Sequence, residues 1–355
     1  MICMKTILTL AAVVATSSLG LAAQQPPKAN REMQAVLDQL GALGGKPIET
    51  LTPKEARQQP TPAEAVKALL KIRGESTAPQ PVAKVENKSI TGTGGEIQIR
   101  IYTPAGPGPF PVVLYVHGGG WVIADLDTYD SSPRALANAA KAVVVSTHYR
   151  QAPEHPFPAS HEDVFAAYQW VRENAGSFNG DRNRVAVAGE SAGGNMAAAI
   201  SLMARERNVP LPLHQVLIYP VADTDMNSPS FQENANAKPL NKAMMGWFAK
   251  HEFKNPQDAK DPRIELVNAN LRGLPPTTII TAQIDPLRSS GERLAEKLKA
   301  AGVSVDYKNY DGVTHEFFGM GAVLKEGRDA TTFATKNLMK AFAHERTQPP
   351  VNEAR

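Results

Sequence analysis

The chain has little cysteine, few aromatic residues and almost no net charge. Its single cysteine, Cys3, lies at the start of the sequence, so neither a disulfide framework nor a cysteine-based metal site is expected. The formal net charge is only +3, aromatic residues make up 6%, and no cluster of Lys and Arg is interleaved with aromatic side chains. A nucleic-acid partner is therefore not expected.

The motifs of several other enzyme classes are also missing. Each of the histidines that precedes a glutamate lacks a second histidine four positions on, which excludes the H-E-x-x-H zinc helix. The sequence contains no S-x-x-K, P-loop or dinucleotide-binding fingerprint. We therefore expect no metal and no cofactor.

The apolar run near the N-terminus is too short to span a membrane. It covers Ile7 to Val14, follows the positive charge of Lys5, and precedes the small-residue pattern Gly20-Leu21-Ala22. These features are typical of a cleaved secretory leader, whereas a spanning helix needs about 20 apolar residues. We predict a signal peptide over residues 1–23, a periplasmic or secreted protein, and no stable membrane anchor.

The first positive signal is a serine placed between glycines. Ser191 stands in V-A-G-E-S-A-G-G, after a β-type run and before a helix-forming one. This is the G-x-S-x-G pattern of a nucleophile elbow, in which small flanking residues allow a sharp turn that exposes the hydroxyl. Ser191 is the candidate nucleophile, and the N–H of Ala192 at the start of the next helix is a candidate oxyanion donor.

A glycine-rich loop upstream fits the same chemistry. The apolar run Phe110 to Val116 leads into His117-Gly118-Gly119-Gly120-Trp121. Consecutive glycines let a backbone fold tightly and present N–H donors to a developing negative charge. We interpret H-G-G-G as an oxyanion-hole motif that includes His117 and Gly118.

A serine nucleophile needs a base and an acid that orients the base. Asp285 follows the strand-like run Thr277 to Ala282, and His315 follows the run Val303 to Tyr310, which gives the order Ser, Asp, His of α/β-hydrolases. Only His315 lies both after Asp285 and just past a strand. For the acid, two other candidates lie nearby in the sequence, Asp261 and Asp311.

Together these motifs give the chain a clear resemblance to hormone-sensitive-lipase-like esterases, the bacterial family IV carboxylesterases of the α/β-hydrolase superfamily. The resemblance runs from about Val85 to the C-terminal helix and also includes the segment Tyr149-Arg150 to Ala159. It implies a triad of Ser191, Asp285 and His315. It further implies an oxyanion hole formed by the N–H groups of Gly119, Gly120 and Ala192.

The chain also departs from the family pattern. The family more often has Asp where Glu190 stands, Leu where Gln151 stands, and Gly where Glu316 stands. No catalytic group is lost. Glu316, however, lies beside the predicted base and could alter its pKa or narrow the pocket. We interpret the segment from Tyr149-Arg150 to Ala159 mainly as a structural support for the strand that leads into the H-G-G-G motif.

Two segments outside the strand and helix alternation are predicted to cover the site. Apolar residues recur at helical spacing from Met33 to Leu43, and two capping boxes follow it. The resemblance makes residues 28–84 the first part of a cap and residues 221–261 the second. Trp121 and the apolar residues of the second segment are candidates for lining an acyl pocket or for packing the cap: Met244, Met245, Trp247 and Phe248.

The remaining pattern alternates strands with helices, which predicts an α/β fold with a mostly parallel sheet, helices on both faces and a helical cap. The catalytic domain is expected over residues 85–220 and 262–346. The predicted function is a serine carboxylesterase acting on short-chain acyl esters, with a small-molecule ester as its partner. Two alternatives remain: an amidase or aryl-ester deacylase with the same triad, and a non-catalytic ligand-binding protein. The oligomeric state is not predicted.

Overall fold

Most strands of the central sheet coincide with runs that the sequence predicts as strands. The computed structural model describes residues 27–345, so the predicted signal peptide lies outside the described residues. The strands in chain order are β1 (Lys84–Gly92), β2 (Gly95–Thr103), β3 (Phe110–Val116), β4 (Val143–Thr147), β5 (Gly180–Glu190), β6 (Gln215–Ile218), β7 (Thr277–Ile284) and β8 (Val305–Thr314).

The strand order brings the predicted site residues to one edge of the sheet. The order is β1-β2-β4-β3-β5-β6-β7-β8. The β1–β2 and β2–β4 pairs are antiparallel, and the five pairs from β4–β3 to β7–β8 are parallel. The carboxyl ends of parallel strands meet at one edge, where open α/β sheets bind their ligands. His117, Ser191, Asp285 and His315 each directly follow such an end.

Helices cover both faces of this sheet. They are α1 (Arg31–Ala42), α2 (Pro53–Ala56), α3 (Pro62–Ile72), α4 (Ser131–Ala140), α5 (Ala159–Asn174), α6 (Ala192–Glu206), α7 (Pro229–Glu233), α8 (Lys242–Glu252), α9 (Arg288–Ala300) and α10 (Lys325–Glu345). The predicted α/β class with a mostly parallel sheet is confirmed.

Burial on both faces explains why β3, a central strand of the sheet, has a continuous apolar sequence. In β3, Val112 and Leu114 pack in the core on one face, while Val113 and Tyr115 pack in the core on the other, and all are fully buried. A strand covered on both faces has no solvent-facing positions for polar residues. The sequence of β3 is therefore apolar throughout.

Two elements, β1 and α4, are not predicted by the sequence pattern. Strand β1 is polar, and only Ile90 of its residues is buried, so it lacks the pattern of a core strand. It pairs along its whole length with β2 at the edge of the sheet. Helix α4 contains Pro133, but this proline lies in the first turn, where a helix tolerates it. Neither element contributes a residue to the predicted site.

The N-terminal helices begin at the predicted caps. Thr52 with Glu55 and Thr61 with Glu64 form complete capping boxes, as expected. The indole N–H of Trp247 in α8 donates to the Leu51 carbonyl oxygen at 3.0 Å, so the two predicted cap segments are in contact. The division into cap and catalytic domain stays a prediction. Within residues 27–345, no helix has the length and apolar character needed to cross a membrane.

The crossing of β5, α6 and β3 depends on glycine. A Cβ atom on Gly193 would lie 2.1 Å from the Val116 carbonyl oxygen and 2.5 Å from that of His117. Both are backbone atoms at the end of β3, so they cannot move aside as a flexible side chain does. The absence of a side chain at Gly193 lets the first turn of α6 lie directly against β3.

We expect Gly193→Ala to lower the free energy of unfolding by about 1–3 kcal/mol or more, because the added methyl forces backbone apart. Gly41→Ala is the matched control, since a Cβ there has no atom within 4 Å. In helix α1 that change should be neutral or stabilise by up to about 1 kcal/mol. Thermal unfolding of both variants measures the difference. Equal melting temperatures would contradict this account of the crossing.

Candidate active site

Ser191 is the single residue between β5 and α6. Its backbone has φ of 59° and ψ of −121°, a region that residues with side chains rarely adopt. The Ser191 N–H donates to the Ile218 carbonyl oxygen at 2.9 Å, which ties the turn to the end of β6. This geometry is the strained elbow that the G-x-S-x-G pattern predicts.

The three predicted triad residues form a continuous hydrogen-bond chain. His315 Nε2 lies 2.9 Å from Ser191 Oγ, and His315 Nδ1 lies 2.6 Å from Asp285 Oδ2. The other oxygen of Asp285 accepts the N–H of Leu287 at 2.8 Å, which fixes the carboxylate. Because a carboxylate accepts the Nδ1 proton, Nε2 is left free to accept the serine proton.

The alternative acids lie elsewhere. Asp261 is paired with Arg263 at 2.9 Å, and Asp311 is exposed and accepts a hydrogen bond from Asn309. Asp285, by contrast, is fully buried behind His315. Of the three acids, Asp285 is the one that is hydrogen-bonded to His315.

The environment of His315 favours its protonated form. Burial by itself opposes the charge, but the adjacent carboxylates, Asp285 above all, outweigh that effect and raise the pKa of His315 above its usual value of 6.5. Ser191 and His315 are only 6% and 3% exposed, so water screens these interactions poorly. The ring is a stronger base than a free histidine.

The glycine loop leaves its N–H groups free. Gly119 has φ of 93°, and a Cβ there would lie 2.1 Å from the Ile123 carbonyl oxygen. Among residues 27–345, no acceptor is hydrogen-bonded to the N–H of Gly119, Gly120 or Ala192. Three unpartnered donors near a buried serine can stabilise a negative oxygen.

His117 supports this loop. Its Nδ1 lies 2.9 Å from the Gly118 carbonyl oxygen, which only accepts, so Nδ1 carries the proton and Nε2 accepts from His148 Nδ1 at 3.0 Å. Burial and then the neighbouring His148 lower the pKa of His117 to about 3, so the ring stays neutral. The Tyr149 hydroxyl donates to the same Gly118 oxygen at 2.7 Å.

The Tyr149 segment thus contacts the oxyanion loop at several points, in agreement with its interpretation as a support. Besides the Tyr149 bond, the N–H of Ala152 donates to the Trp121 carbonyl oxygen at 3.0 Å. The Gln151 amide donates to the Ile123 carbonyl oxygen at 2.9 Å. The departure from leucine at this position therefore adds a hydrogen bond to the loop.

The predicted pocket residues have different surroundings. The Phe248 ring packs directly on Gly120, where a Cβ would lie 2.3 Å from its Cγ. Trp247 is instead held by its bond to Leu51. Trp121 is only 2% exposed and packs against Phe253. Trp121 follows Gly120 directly in the chain, and Met245 is partly buried against the core.

Sequence reasoning missed a group of tyrosines around two glutamates. Tyr115 donates to Glu190 Oε1 at 2.6 Å, and Tyr219 donates to the other oxygen of Glu190. Tyr129 donates to Glu316 Oε1 at 2.6 Å. Burial and then Glu316 raise the pKa of Glu190 to about 7. No motif links these tyrosines to the elbow, because they are distant in sequence.

No part of the described chain resembles a metal centre. Within residues 27–345, no group of three or more His, Cys, Asp or Glu side chains is arranged to hold a metal ion. The chemistry that the described site can perform is nucleophilic attack by an activated serine.

Comparison with known proteins points the same way. The alpha/beta hydrolase fold family matches residues 113–319. The chain is 40% identical over 291 residues to the carboxylesterase NlhH of Mycobacterium tuberculosis, covering 79% of this chain and 91% of that protein. It is 31% identical to an ethyl acetate hydrolase of Pseudomonas putida, covering 88% of this chain and 98% of that enzyme.

A solved structure shows the same likeness. The esterase of Pyrobaculum calidifontis superposes with a TM-score of 0.79 at 38% sequence identity, covering 88% of this chain and 99% of that one. The likeness therefore includes almost the whole of the known enzyme.

Proposed function

The chain belongs to the alpha/beta hydrolase fold family, as a serine carboxylesterase of its hormone-sensitive-lipase-like group, and we propose that Ser191, His315 and Asp285 are its catalytic triad. The observation that carries this proposal is the chain of hydrogen bonds from Ser191 Oγ through the His315 ring to Asp285.

In the proposed reaction, Ser191 Oγ attacks the carbonyl carbon of the ester while His315 Nε2 takes the serine proton. The carbonyl electron pair moves onto oxygen and forms a tetrahedral oxyanion. When it collapses, the bond to the alcohol oxygen breaks, and that oxygen takes the proton from Nε2. The acyl group remains on Ser191 until a water molecule, deprotonated by His315 Nε2, attacks the acyl carbon. The bond from that carbon to Oγ then breaks, Oγ takes the proton back from Nε2, and the acid leaves.

The oxyanion is assigned to the free N–H groups of Gly119, Gly120 and Ala192. Ala192 is the first residue of α6, so the positive end of that helix adds to the attraction. Removing one such donor typically costs 10²–10³-fold in kcat. Three fixed donors in a buried site therefore supply a large share of the rate.

Ser191→Ala should abolish turnover, since no covalent intermediate can form. We expect kcat on p-nitrophenyl acetate to fall by about 10⁴-fold or more, with the melting temperature unchanged. Ser146→Ala is the matched control, because it is also a buried serine and its hydroxyl has no hydrogen-bond partner in the described chain. A folded Ser191→Ala protein with more than about a tenth of normal activity would refute the assignment.

The substrates proposed for this enzyme are esters with short acyl chains. Residues 28–84 and 221–261 are assigned to a cap over the site, and the Phe248 ring of the second segment lies against Gly120. An aromatic ring beside an oxyanion donor limits the space for acyl carbons. The ethyl acetate hydrolase among the relatives, an enzyme named for a two-carbon acyl group, supports this size.

Activity should peak on acyl groups of about two to eight carbons, because each methylene that fits gains about 0.8 kcal/mol and longer chains must displace the cap. Phe248→Ala should move the optimum to longer chains. Phe178→Ala serves as the control, since Phe178 lies just before β5, at the opposite edge of the sheet. A series of p-nitrophenyl esters from acetate to palmitate gives the profile. The same profile in both variants would show that Phe248 does not bound the pocket.

Residues 1–23 are assigned to a signal peptide that directs the enzyme to the periplasm or the medium. The support is the order of a positive start, a short apolar run and a small-residue pattern in the sequence.

The mature protein should begin at Ala23 or Gln24. Expression in a bacterial host, separation of periplasm from cytoplasm, and N-terminal sequencing would test this. Replacing Leu8 and Leu10 by Glu should keep the protein in the cytoplasm, because charge in the apolar run blocks leader function. An uncleaved cytoplasmic protein from the natural sequence would contradict the proposal.

A further inference from the structure

Glu316 places a second carboxylate beside the predicted base. Its Oε1 atom lies 3.9 Å from His315 Nε2, the nitrogen that faces Ser191 Oγ. Asp285 lies on the opposite side, at Nδ1. The imidazole ring is therefore flanked by carboxylates at both of its nitrogens.

The contact between Glu316 and the ring is held at this distance by Tyr129. The Tyr129 hydroxyl donates to the same Oε1 atom at 2.6 Å. At 3.9 Å the carboxylate attracts a charged ring but does not accept a hydrogen bond from it. The Nε2 proton therefore remains available to the serine side of the ring.

The backbone of Glu316 supports a role for its side chain. Its φ is 73°, in the left-handed region that disfavours a residue with a Cβ. Glycine would adopt this conformation without strain. Strained residues that persist at a site point to a contribution from their side chains. Here that side chain is one that turns toward the base.

The charged and hydroxyl groups that face His315 come from several elements. Three carboxylates lie near the ring: Asp285 after β7, Glu190 at the end of β5, and Glu316. Two tyrosine hydroxyls bond to the glutamates, from Tyr129 to Glu316 and from Tyr219 to Glu190. Among residues 27–345, no Lys or Arg side chain forms an ion pair with any of the three carboxylates. The histidine ring is the cation that this cluster can form.

We propose that Glu316 is a positioning residue for His315, which stabilises the imidazolium from its Nε2 side, and that Tyr129 holds it too far away to take the Nε2 proton. This inference rests on the proposed triad. In the active form of the enzyme the ring is neutral until the serine gives up its proton, so the carboxylate acts on the transition state more than on substrate binding.

The titration behaviour agrees with this arrangement. Burial lowers the pKa of His315, but the charge and hydrogen bond of Asp285 and then the charge of Glu316 raise it. Burial in turn raises the pKa of Glu316 itself, so its carboxylate is costly to keep charged without the ring. Each of the two groups therefore favours the charged form of the other.

Glu316→Gln removes the charge and keeps the shape and the bond to Tyr129. We expect the acid limb of kcat/KM to move to lower pH by about one unit, since an opposite charge at this range raises a histidine pKa. On the alkaline plateau kcat should fall about 3–10-fold with KM unchanged, because the base is weaker and its cation less stabilised. A purely structural role would lower activity at every pH without moving the limb.

Tyr129→Phe should move the same limb in the opposite direction. Without the hydroxyl, Glu316 is free to approach Nε2 and accept its proton, which raises the pKa of His315 and competes with Ser191. The acid limb should move to higher pH, and kcat should fall. In the double variant with Glu316→Gln, the limb should match that of Glu316→Gln alone.

The controls separate this inference from the triad proposal. Glu296→Gln makes the same charge change on the exposed face of α9 and should leave the pH profile unchanged. Tyr310→Phe removes another buried hydroxyl, one that has no partner in the described chain. As the control for Tyr129→Phe, it should leave the acid limb where it is. If Ser191→Ala is inactive but Glu316→Gln does not move the limb, the role of Glu316 is refuted and the triad stands. Limb shifts in the same direction in both variants would also refute it. If Tyr129→Phe does not fold, the limb of Glu316→Gln alone decides.

Discussion

The whole site depends on one backbone constraint, the reversal of the chain at Ser191. Strand β5 ends at Glu190 and α6 begins at Ala192, so a single residue must make the turn at a positive φ. The turn is held from both sides, because Ser191 donates to the Ile218 carbonyl oxygen and accepts from the Val221 N–H. It lifts the hydroxyl above the sheet edge and brings the start of α6 against the end of β3, where the glycine loop begins. The 2.9 Å distance from Ser191 Oγ to His315 Nε2 therefore depends on this turn.

The electrostatics of the site are clearest from two buried histidines that behave in opposite ways. His117 and His315 are both almost fully buried, which alone disfavours a charged ring. Burial and the neighbouring His148 lower the pKa of His117 to about 3, whereas for His315 the carboxylates outweigh burial and raise it. The neutral ring supports the loop as a fixed donor, and the basic ring is ready to accept a proton. The difference between the two histidines therefore comes from their neighbouring groups and not from their burial.

How far the sequence could predict this site follows from the range of the contacts. The elbow, the glycine loop and the order of Asp285 and His315 are local patterns at strand ends, so they can be recognised without a structure. Tyr129 lies 187 residues from Glu316, and Tyr115 lies 75 residues from Glu190. Such pairs leave no trace in a single sequence. For the same reason the sequence does not predict β1, because its polar residues form a strand only by pairing with β2.

The two departures from the family pattern near the nucleophile belong to one cluster. Glu190 has a side chain long enough to accept from Tyr115 and Tyr219 with separate oxygens, and an aspartate, one methylene shorter, would not reach both from the same backbone. Burial and then the charge of Glu316 raise the pKa of Glu190, because two neighbouring carboxylates repel each other when both are charged. A protonated His315 relieves that repulsion. The negative charge gathered here therefore strengthens the base, but it also keeps the ring protonated, and hence inactive, to a higher pH.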